Sequence, residues 1–138
     1  MINKFRGDYF FLSNFYPCKI LYRGITYSTS EAAYQAQKTL DENERLRISK
    51  LEDPHDAKVE GQKLVLRADW DDVKVDVMYL ICMNKFYQNP ELEELLLATG
   101  DEELVEGNHW GDTFWGVCNG VGENKLGKIL MMVREHLS

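Results

Sequence analysis

Residues 71–87 constrain the fold more than any other part of the sequence, because their apolar side chains recur at helical spacing. A helix with one apolar side is stable only when other elements cover that side. The apolar stripe of this segment consists of Val73, Val77, Leu80, Ile81 and Met83. The pattern therefore predicts a long helix that faces a packed core.

Residues typical of helix N-termini predict two helices before the long helix at residues 71–87. Ser28 is followed three residues later by Glu31, the spacing of a capping box, which predicts a helix through about Leu40. An Asp-Pro pair at residues 53–54 predicts a second helix that runs toward Leu66, because aspartate caps a helix and proline suits its first turn.

Two helices are also predicted after it, together with a small β element. An Asn-Pro pair at residues 89–90 starts one helix, which Gly100 is placed to end, and Asn124 is placed to cap the last. The buried stripe of the last helix is predicted to be Leu126, Ile129, Leu130, Val133 and Leu137. Two short β-favouring runs, residues 18–22 and 25–27, predict an antiparallel hairpin. Residues 103–119 suit short strands and loops, where functional residues concentrate.

Length and composition favour one soluble domain over residues 1–138. A chain of 138 residues with 44% hydrophobic residues suffices for a single packed core. No apolar run approaches the roughly 18 residues of a membrane span, so we expect a cytoplasmic protein without a membrane partner. The three cysteines form no CxxC pair, which argues against a disulfide framework and a zinc cluster.

The charge balance limits the kind of partner. The chain carries 16 Lys and Arg against 23 Asp and Glu, a formal net charge of −7. No diffuse positive field therefore draws it to duplex DNA or to anionic lipid. An anionic ligand needs a local basic pocket. The histidines are isolated in the sequence, so we expect no catalytic metal.

Glu31, Gln35 and Lys38 form the first candidate constellation. They lie at positions i, i+4 and i+7, so a helix through Leu40 would present an acid, an amide and an amine on one face. The alternative is structural: Glu31 only closes the capping box with Ser28, and Lys38 is only solvated.

The second candidate is an aromatic loop at residues 108–116 with two tryptophans, an aspartate and two glycines. Exposed indoles there would form a wall on which a planar base stacks, with the carboxylate of Asp112 beside it. Phe15, Tyr16 and Trp70 are candidates to extend the wall, with a place in the core as the equal alternative for each. The alternative reading is a loop anchored in the core, with Asp112 accepting hydrogen bonds within a turn.

The glycine-rich segment before the last helix is the third candidate. Residues 122–129 match a P-loop only as far as GxxxxGK, because Ile129 stands where a magnesium-binding Ser or Thr is required. This excludes P-loop nucleotide hydrolysis. The N-terminus of the helix at Asn124 is then expected either to offer free amides to a phosphate or to be an ordinary capped helix start.

Three motifs together resemble the NADAR (YbiA-like) family: FLSNFYP at residues 11–17, TSEAAYQAQK at residues 29–38 and WGDTFWG at residues 110–116. Shorter matches, including Leu104-Val105-Glu106, extend the resemblance over nearly the whole chain. The resemblance implies a compact, mostly helical α+β domain that acts on N-glycosidic bonds of ribose derivatives. It implies two substrate classes: ribosylaminopyrimidine phosphates of riboflavin synthesis, and guanine bases that carry ADP-ribose, including guanine within nucleic acid.

The resemblance also implies site residues. Glu31, Asp112 and Lys38 are expected to be catalytic, in a metal-independent hydrolase without a cofactor. Substrate contacts are expected from Asn14, Phe15, Gln35, Trp70, Phe114, Trp115, Gly116 and Asn124. Following the two-carboxylate logic of glycoside hydrolysis, we favour Glu31 as acid/base and Asp112 as ribose binder. The alternatives are a module that binds ADP-ribose or an NAD derivative without turnover, and a purely structural protein.

Overall fold

The computed structural model describes residues 1–138, which divide into two compact units. The central unit is Asn14–Asn89, and the terminal unit combines Met1–Ser13 with Pro90–Ser138. Both ends of the chain therefore contribute to the terminal unit. The expected single domain over residues 1–138 stays a prediction.

The central unit begins with the predicted hairpin. Strands β1 (Ile20–Tyr22) and β2 (Ile25–Tyr27) pair antiparallel, with Ile20 opposite Tyr27. The turn between them has positive φ angles of 50° at Arg23 and 83° at Gly24, as a two-residue hairpin turn requires. The hairpin prediction is confirmed.

Three short helices follow the hairpin. They are α1 (Ser30–Ala36), α2 (Glu42–Ser49) and α3 (Pro54–Gln62). The cap of α1 is Thr29 rather than Ser28, because the Thr29 hydroxyl accepts the Ala32 N–H at 3.0 Å. The helix ends at Ala36 and not near Leu40, and α3 likewise stops short of Leu66.

Helix α2 was not predicted from the sequence. It lacks an apolar stripe, and only Arg45 and Ile48 are buried in it. Its start signal is Asp41, whose carboxylate accepts the N–H groups of Asn43 and Glu44. This cap also explains the early end of α1, since the chain must leave one helix before the next can begin.

The long helix α4 (Trp70–Gln88) confirms the prediction for residues 71–87. Its buried side chains are Trp70, Val77, Met78, Ile81, Cys82, Lys85 and Phe86. Leu80 is 43% exposed, so its place in the predicted stripe was wrong. At 100° per residue, Leu80 lies far from the middle of the buried face, which runs through Met78, Ile81 and Lys85.

The terminal unit contains a 3₁₀ helix (Gly7–Leu12), α5 (Pro90–Ala98) and α6 (Lys125–Leu137). Two-residue strands β3 (Gly107–Asn108) and β4 (Val117–Cys118) pair parallel. The segment before the 3₁₀ helix is tied to the loop before β3, because Ile2 exchanges backbone hydrogen bonds of 2.8 Å with Glu103 and Val105. Both predicted helices are confirmed, and so are the short strands between them.

The predicted fold class, a mostly helical α+β protein, is confirmed, with 51% of the residues helical and only short strands. None of the helices combines the length and the apolar character that crossing a bilayer would require.

Candidate active site

Helix α1 of the central unit brings Glu31 and Gln35 together. Glu31 lies in the first turn, where a carboxylate interacts favourably with the positive end of the helix dipole. The Gln35 side chain lies one turn later, and its Nε2 donates to Oε2 of Glu31 at 2.6 Å. The amide therefore holds the carboxylate in one orientation.

Lys38 lies beside this pair, although not on the helix. Because α1 ends at Ala36, the helical spacing predicted for Lys38 was wrong. Burial lowers the pKa of Lys38, the charge of Glu31 opposes that shift, and the charges of Lys58 and Lys74 add to it. We call the hydrogen-bonded pair, Lys38 and the two lysines whose charges act on Lys38 the Glu31 cluster: Glu31, Gln35, Lys38, Lys58 and Lys74.

Gln35 is the most confined member of the Glu31 cluster. It is only 5% exposed and packs against Gly61 of α3, where a Cβ atom would lie 2.1 Å from Oε1 of Gln35. Glycine at residue 61 is therefore required by the close approach of α1 and α3. Oε1 of Gln35 is buried and accepts no hydrogen bond, which is rare for a buried polar atom.

Three further predicted residues lie in the central unit. The carbonyl of Asn14 accepts the Glu31 N–H at 3.0 Å, and Nδ2 of Asn14 donates to the Met78 sulfur at 3.5 Å. Asn14 is thus held against the start of α1. Phe15 is half-buried, whereas Trp70 is 5% exposed, with its ring centroid 5.2 Å from that of Tyr34. This packing favours the core reading of Trp70.

The other predicted residues lie in the terminal unit, where Asp112 organises a loop. Its Oδ1 accepts the N–H groups of Phe114 at 3.1 Å and Trp115 at 2.9 Å. The Asn108 side chain exchanges two hydrogen bonds with the backbone of Asp112, at 2.8 and 3.0 Å. The hydrogen bonds predicted within a turn are therefore accepted by Oδ1 of Asp112, whereas Oδ2 has no hydrogen-bond partner.

Aromatic rings and a close backbone approach surround this loop. The rings of Phe114 and Trp115 meet edge to face at 4.8 Å, and Nζ of Lys125 lies 5.9 Å from the Phe114 centroid. Gly116 is buried, and a Cβ atom there would lie 2.2 Å from the carbonyl oxygen of Glu106. Only glycine fits at this position without a shift of the neighbouring backbone.

Of the two alternatives for the start of α6, the structure does not favour free amides that bind a phosphate. The N–H groups of Lys125 and Leu126 donate to the carbonyls of Phe114 and Trp115, at 3.1 and 2.9 Å, so neither is free for a ligand. Asn124 precedes the helix with φ of 53°, but its side chain does not cap α6. Its amide instead bridges the Leu104 carbonyl and the Glu106 N–H, both at 3.0 Å.

Sequence reasoning missed three charged residues near the candidate groups. Lys58 and Lys74 were overlooked because they come from α3 and α4, far from Glu31 in sequence. Glu106 is a half-buried carboxylate whose Oε2 accepts from Asn108 at 3.2 Å. The signal for Glu106 was present, since Leu104-Val105-Glu106 is one of the family-like segments.

The structure is a mostly helical α+β protein in which Gln35 orients the Glu31 carboxylate and the charge of Glu31 acts on Lys38. The NADAR domain family matches residues 3–138. The chain belongs to the NADAR domain family, as the sequence motifs indicated.

The relatives include two kinds of protein. The chain is 47% identical over 131 residues to the riboflavin biosynthesis protein VVA0006 of Vibrio vulnificus, covering 92% of this chain but 35% of that protein. It is 42% identical over 134 residues to N-glycosidase YbiA of Escherichia coli, covering 95% of this chain and 83% of YbiA. The NMR structure of E. coli YbiA superposes with a TM-score of 0.86 at 39% identity, over 99% of this chain and 86% of that one. The chain thus spans about a third of the first relative and most of the second.

Proposed function

We propose that this chain is an N-glycosidase that hydrolyses the bond between ribose C1 and the nitrogen of a base-like ring in a phosphorylated substrate. The observation that carries the proposal is the Glu31 carboxylate, which Gln35 holds at 2.6 Å and whose charge acts on the pKa of Lys38. The enzyme class agrees with the name of YbiA, which the chain matches over 95% of its own length.

The carboxylate of Glu31 suits the chemistry of this bond. Cleavage develops positive charge on the ribose ring and negative charge on the departing nitrogen, so a catalyst must stabilise the first and protonate the second. In our proposal Glu31 transfers a proton to the departing nitrogen. Gln35 orients the carboxylate, because its Nε2 donates a hydrogen bond to Oε2 of Glu31. Water then adds to C1, which gives free ribose phosphate and the released base.

The three lysines of the Glu31 cluster suit the phosphate end of the substrate. Burial and the charges of Lys58 and Lys74 lower the pKa of Lys38, and an anion beside Lys38 would stabilise its charged form. Lys38, Lys58 and Lys74 would accordingly bind the phosphate. The buried Oε1 of Gln35 would accept a hydrogen bond from a ribose hydroxyl or from an amino group of the base.

The remaining site residues are proposed as substrate contacts. Oδ2 of Asp112 would stabilise the cationic ribose, because Oδ1 is occupied by the loop backbone. Rings of the substrate would stack on aromatic side chains, and Asn14 of the central unit and Gly116 and Asn124 of the terminal unit stay predicted substrate contacts. The aromatic contacts proposed are Phe15, Phe114 and Trp115, whereas Trp70, predicted as a fourth, packs in the core.

Two substrate classes follow for the proposed reaction. Ribosylaminopyrimidine phosphates are supported by the name of the Vibrio vulnificus relative, a riboflavin biosynthesis protein. ADP-ribose on guanine is supported by the three lysines, since a diphosphate carries enough charge to engage all of them. A module that binds either ligand without turnover is the competing function, and a cytoplasmic location stays a prediction.

Separate incubations with a ribosylaminopyrimidine phosphate and with ADP-ribosylated guanosine test the proposal. We expect free base and free ribose phosphate, or free guanine and ADP-ribose, in amounts that exceed the enzyme many times, measured by chromatography. Tight binding of both compounds without any release would contradict the glycosidase and establish the binding module.

Lys38 provides a pH prediction. Its lowered pKa means that it loses its proton at a lower pH than a free lysine, whose pKa is 10.5. The KM for the phosphorylated substrate should therefore rise as the pH increases toward 10.5, because the neutral amine no longer attracts the phosphate. Lys38→Arg keeps its charge over this range and should show a flatter KM profile. An identical rise in both proteins would exclude Lys38 as the titrating group.

Asp112 provides a prediction that separates catalysis from loop structure. Asp112→Asn retains an oxygen for the two backbone N–H groups and should change the free energy of unfolding by less than about 0.5 kcal/mol. It removes the charge near the ribose, so kcat should fall by roughly 10-fold or more. Asp112→Ala should also destabilise the protein by about 1–2 kcal/mol in urea unfolding, since both acceptors are lost. Wild-type turnover of Asp112→Asn would leave Asp112 with a structural role only.

A further inference from the structure

The terminal unit carries an open groove of about 780 Å³, a volume in the usual range of ligand sites. It is lined by residues of the N-terminal segment before the 3₁₀ helix and of the strands and loops around β3 and β4, including Lys4, Arg6, Asn108, His109 and Asn119. None of the residues proposed above for the glycosidase reaction lines it.

The groove is locally basic in an acidic protein. Lys4 and Arg6 are both exposed, and neither belongs to any of the ion pairs of the structure. Glu103 is the only carboxylate in the lining. With a net charge of −7 over the chain, two unpaired cations in one groove form the kind of local basic pocket that an anionic ligand needs.

An exposed indole lies beside these cations. Trp110 is 50% exposed, the Arg6 guanidinium lies 5.7 Å from its ring centroid, and the His109 ring meets it edge to face at 5.1 Å. Tryptophan is seldom left this exposed without a stacking partner. A basic groove next to an exposed aromatic ring is the combination that binds nucleic acid strands, since phosphates meet the cations and bases stack on the ring.

We propose that this groove binds a nucleobase together with its phosphate, with the base on Trp110 and the phosphates at Lys4 and Arg6. The ligand chemistry is shared by a single-stranded nucleic acid and by a free nucleotide. Binding requires no bond cleavage, so the inference is independent of the proposed glycosidase reaction.

Fluorescence anisotropy of a labelled ten-residue oligothymidylate, titrated with the intact protein at low salt, tests the proposal. We expect saturable binding, and a plot of log affinity against log salt concentration with a slope of about −1.4, from two phosphate contacts at about −0.7 each. Unlabelled thymidine monophosphate is the second arm. Competition by the mononucleotide at the same nucleotide concentration would identify a free nucleotide as the ligand, and competition by the oligomer alone would identify a strand.

Matched variants locate the binding. Trp110→Ala should weaken binding by between about 5- and 150-fold, and Lys4→Ala combined with Arg6→Ala should remove most of the salt dependence. Tyr87→Ala, at a 67% exposed ring of the central unit, and Lys19→Ala combined with Lys50→Ala are the controls. The Lys4→Ala and Arg6→Ala double variant and both controls should keep wild-type turnover of a small ribosyl substrate. Absence of oligomer and mononucleotide binding, or equal effects of the groove variants and the controls, would overturn the proposal.

Discussion

Replacing Glu31 with glutamine is expected to lower kcat by on the order of 100-fold or more, because the amide cannot transfer the proton that the leaving nitrogen needs. The substitution preserves the size of the side chain, and an amide oxygen can still accept the hydrogen bond from Gln35. The melting temperature should therefore stay close to that of the wild type. Release of base from a phosphorylated ribosyl substrate, followed by chromatography, measures the effect.

The matched control is Glu52→Gln, which removes the same charge from an exposed position of the central unit. It should retain full turnover. Calorimetric titration with ribose 5-phosphate should show that Glu31→Gln still binds the product, since the lysines of the Glu31 cluster are unchanged. Full activity of Glu31→Gln would remove Glu31 from the proton-transfer step and leave the lysines as a binding site.

Replacing Gly127 with alanine is expected to destabilise the protein by about 2–4 kcal/mol, although alanine is the better helix former by about 1 kcal/mol. Gly127 lies in α6, and a Cβ atom there would lie 2.1 Å from the Leu104 carbonyl oxygen and 2.4 Å from the Asn124 amide nitrogen. These two atoms are hydrogen-bonded to each other at 3.0 Å in a buried position. Moving either one away from a Cβ atom would break this hydrogen bond and leave a buried polar group without a partner.

Thermal unfolding followed by circular dichroism measures this change, and a drop in melting temperature of about 8–15 °C corresponds to it for a chain of this length. Lys128→Ala, at the next and exposed position of α6, should stay within about 0.5 kcal/mol of the wild type. A Gly127→Ala protein as stable as the wild type would show that the contact between α6 and the Leu104 segment is looser than the structure indicates.

Local chemistry explains which elements were predictable. The hairpin, α4, α5 and α6 were predicted from turn residues, start signals and apolar spacing, although the Asn124 side chain does not cap α6 and Leu80 does not belong to the buried face of α4. Helix α2 was missed because it has almost no apolar side, and its only clear signal is the Asp41 cap. Helix lengths were overestimated for α1 and α3, since periodicity does not report where the chain turns to begin the next element.

Local sequence patterns predicted only part of the candidate site. Glu31 and Gln35 are one helical turn apart, so their contact followed from the helix alone. The amides at the start of α6 looked available for phosphate, but carbonyl groups of the preceding loop occupy them. Hydrogen bonding between a loop and a helix end depends on how the loop folds back, which residue spacing does not specify.

The amino-acid sequence by itself determined the family, the helical and hairpin segments and the pairing of Glu31 with Gln35, because these depend on residue identity and on neighbours within about one helical turn. Only the tertiary structure decided that the charges of Lys58 and Lys74 act on Lys38, that the Asn124 side chain bonds the backbone of the Leu104 segment, and that Arg6 lies against Trp110. The physical reason is that these contacts join positions far apart in the chain, and packing of the helices and loops, rather than local spacing, brings such positions together.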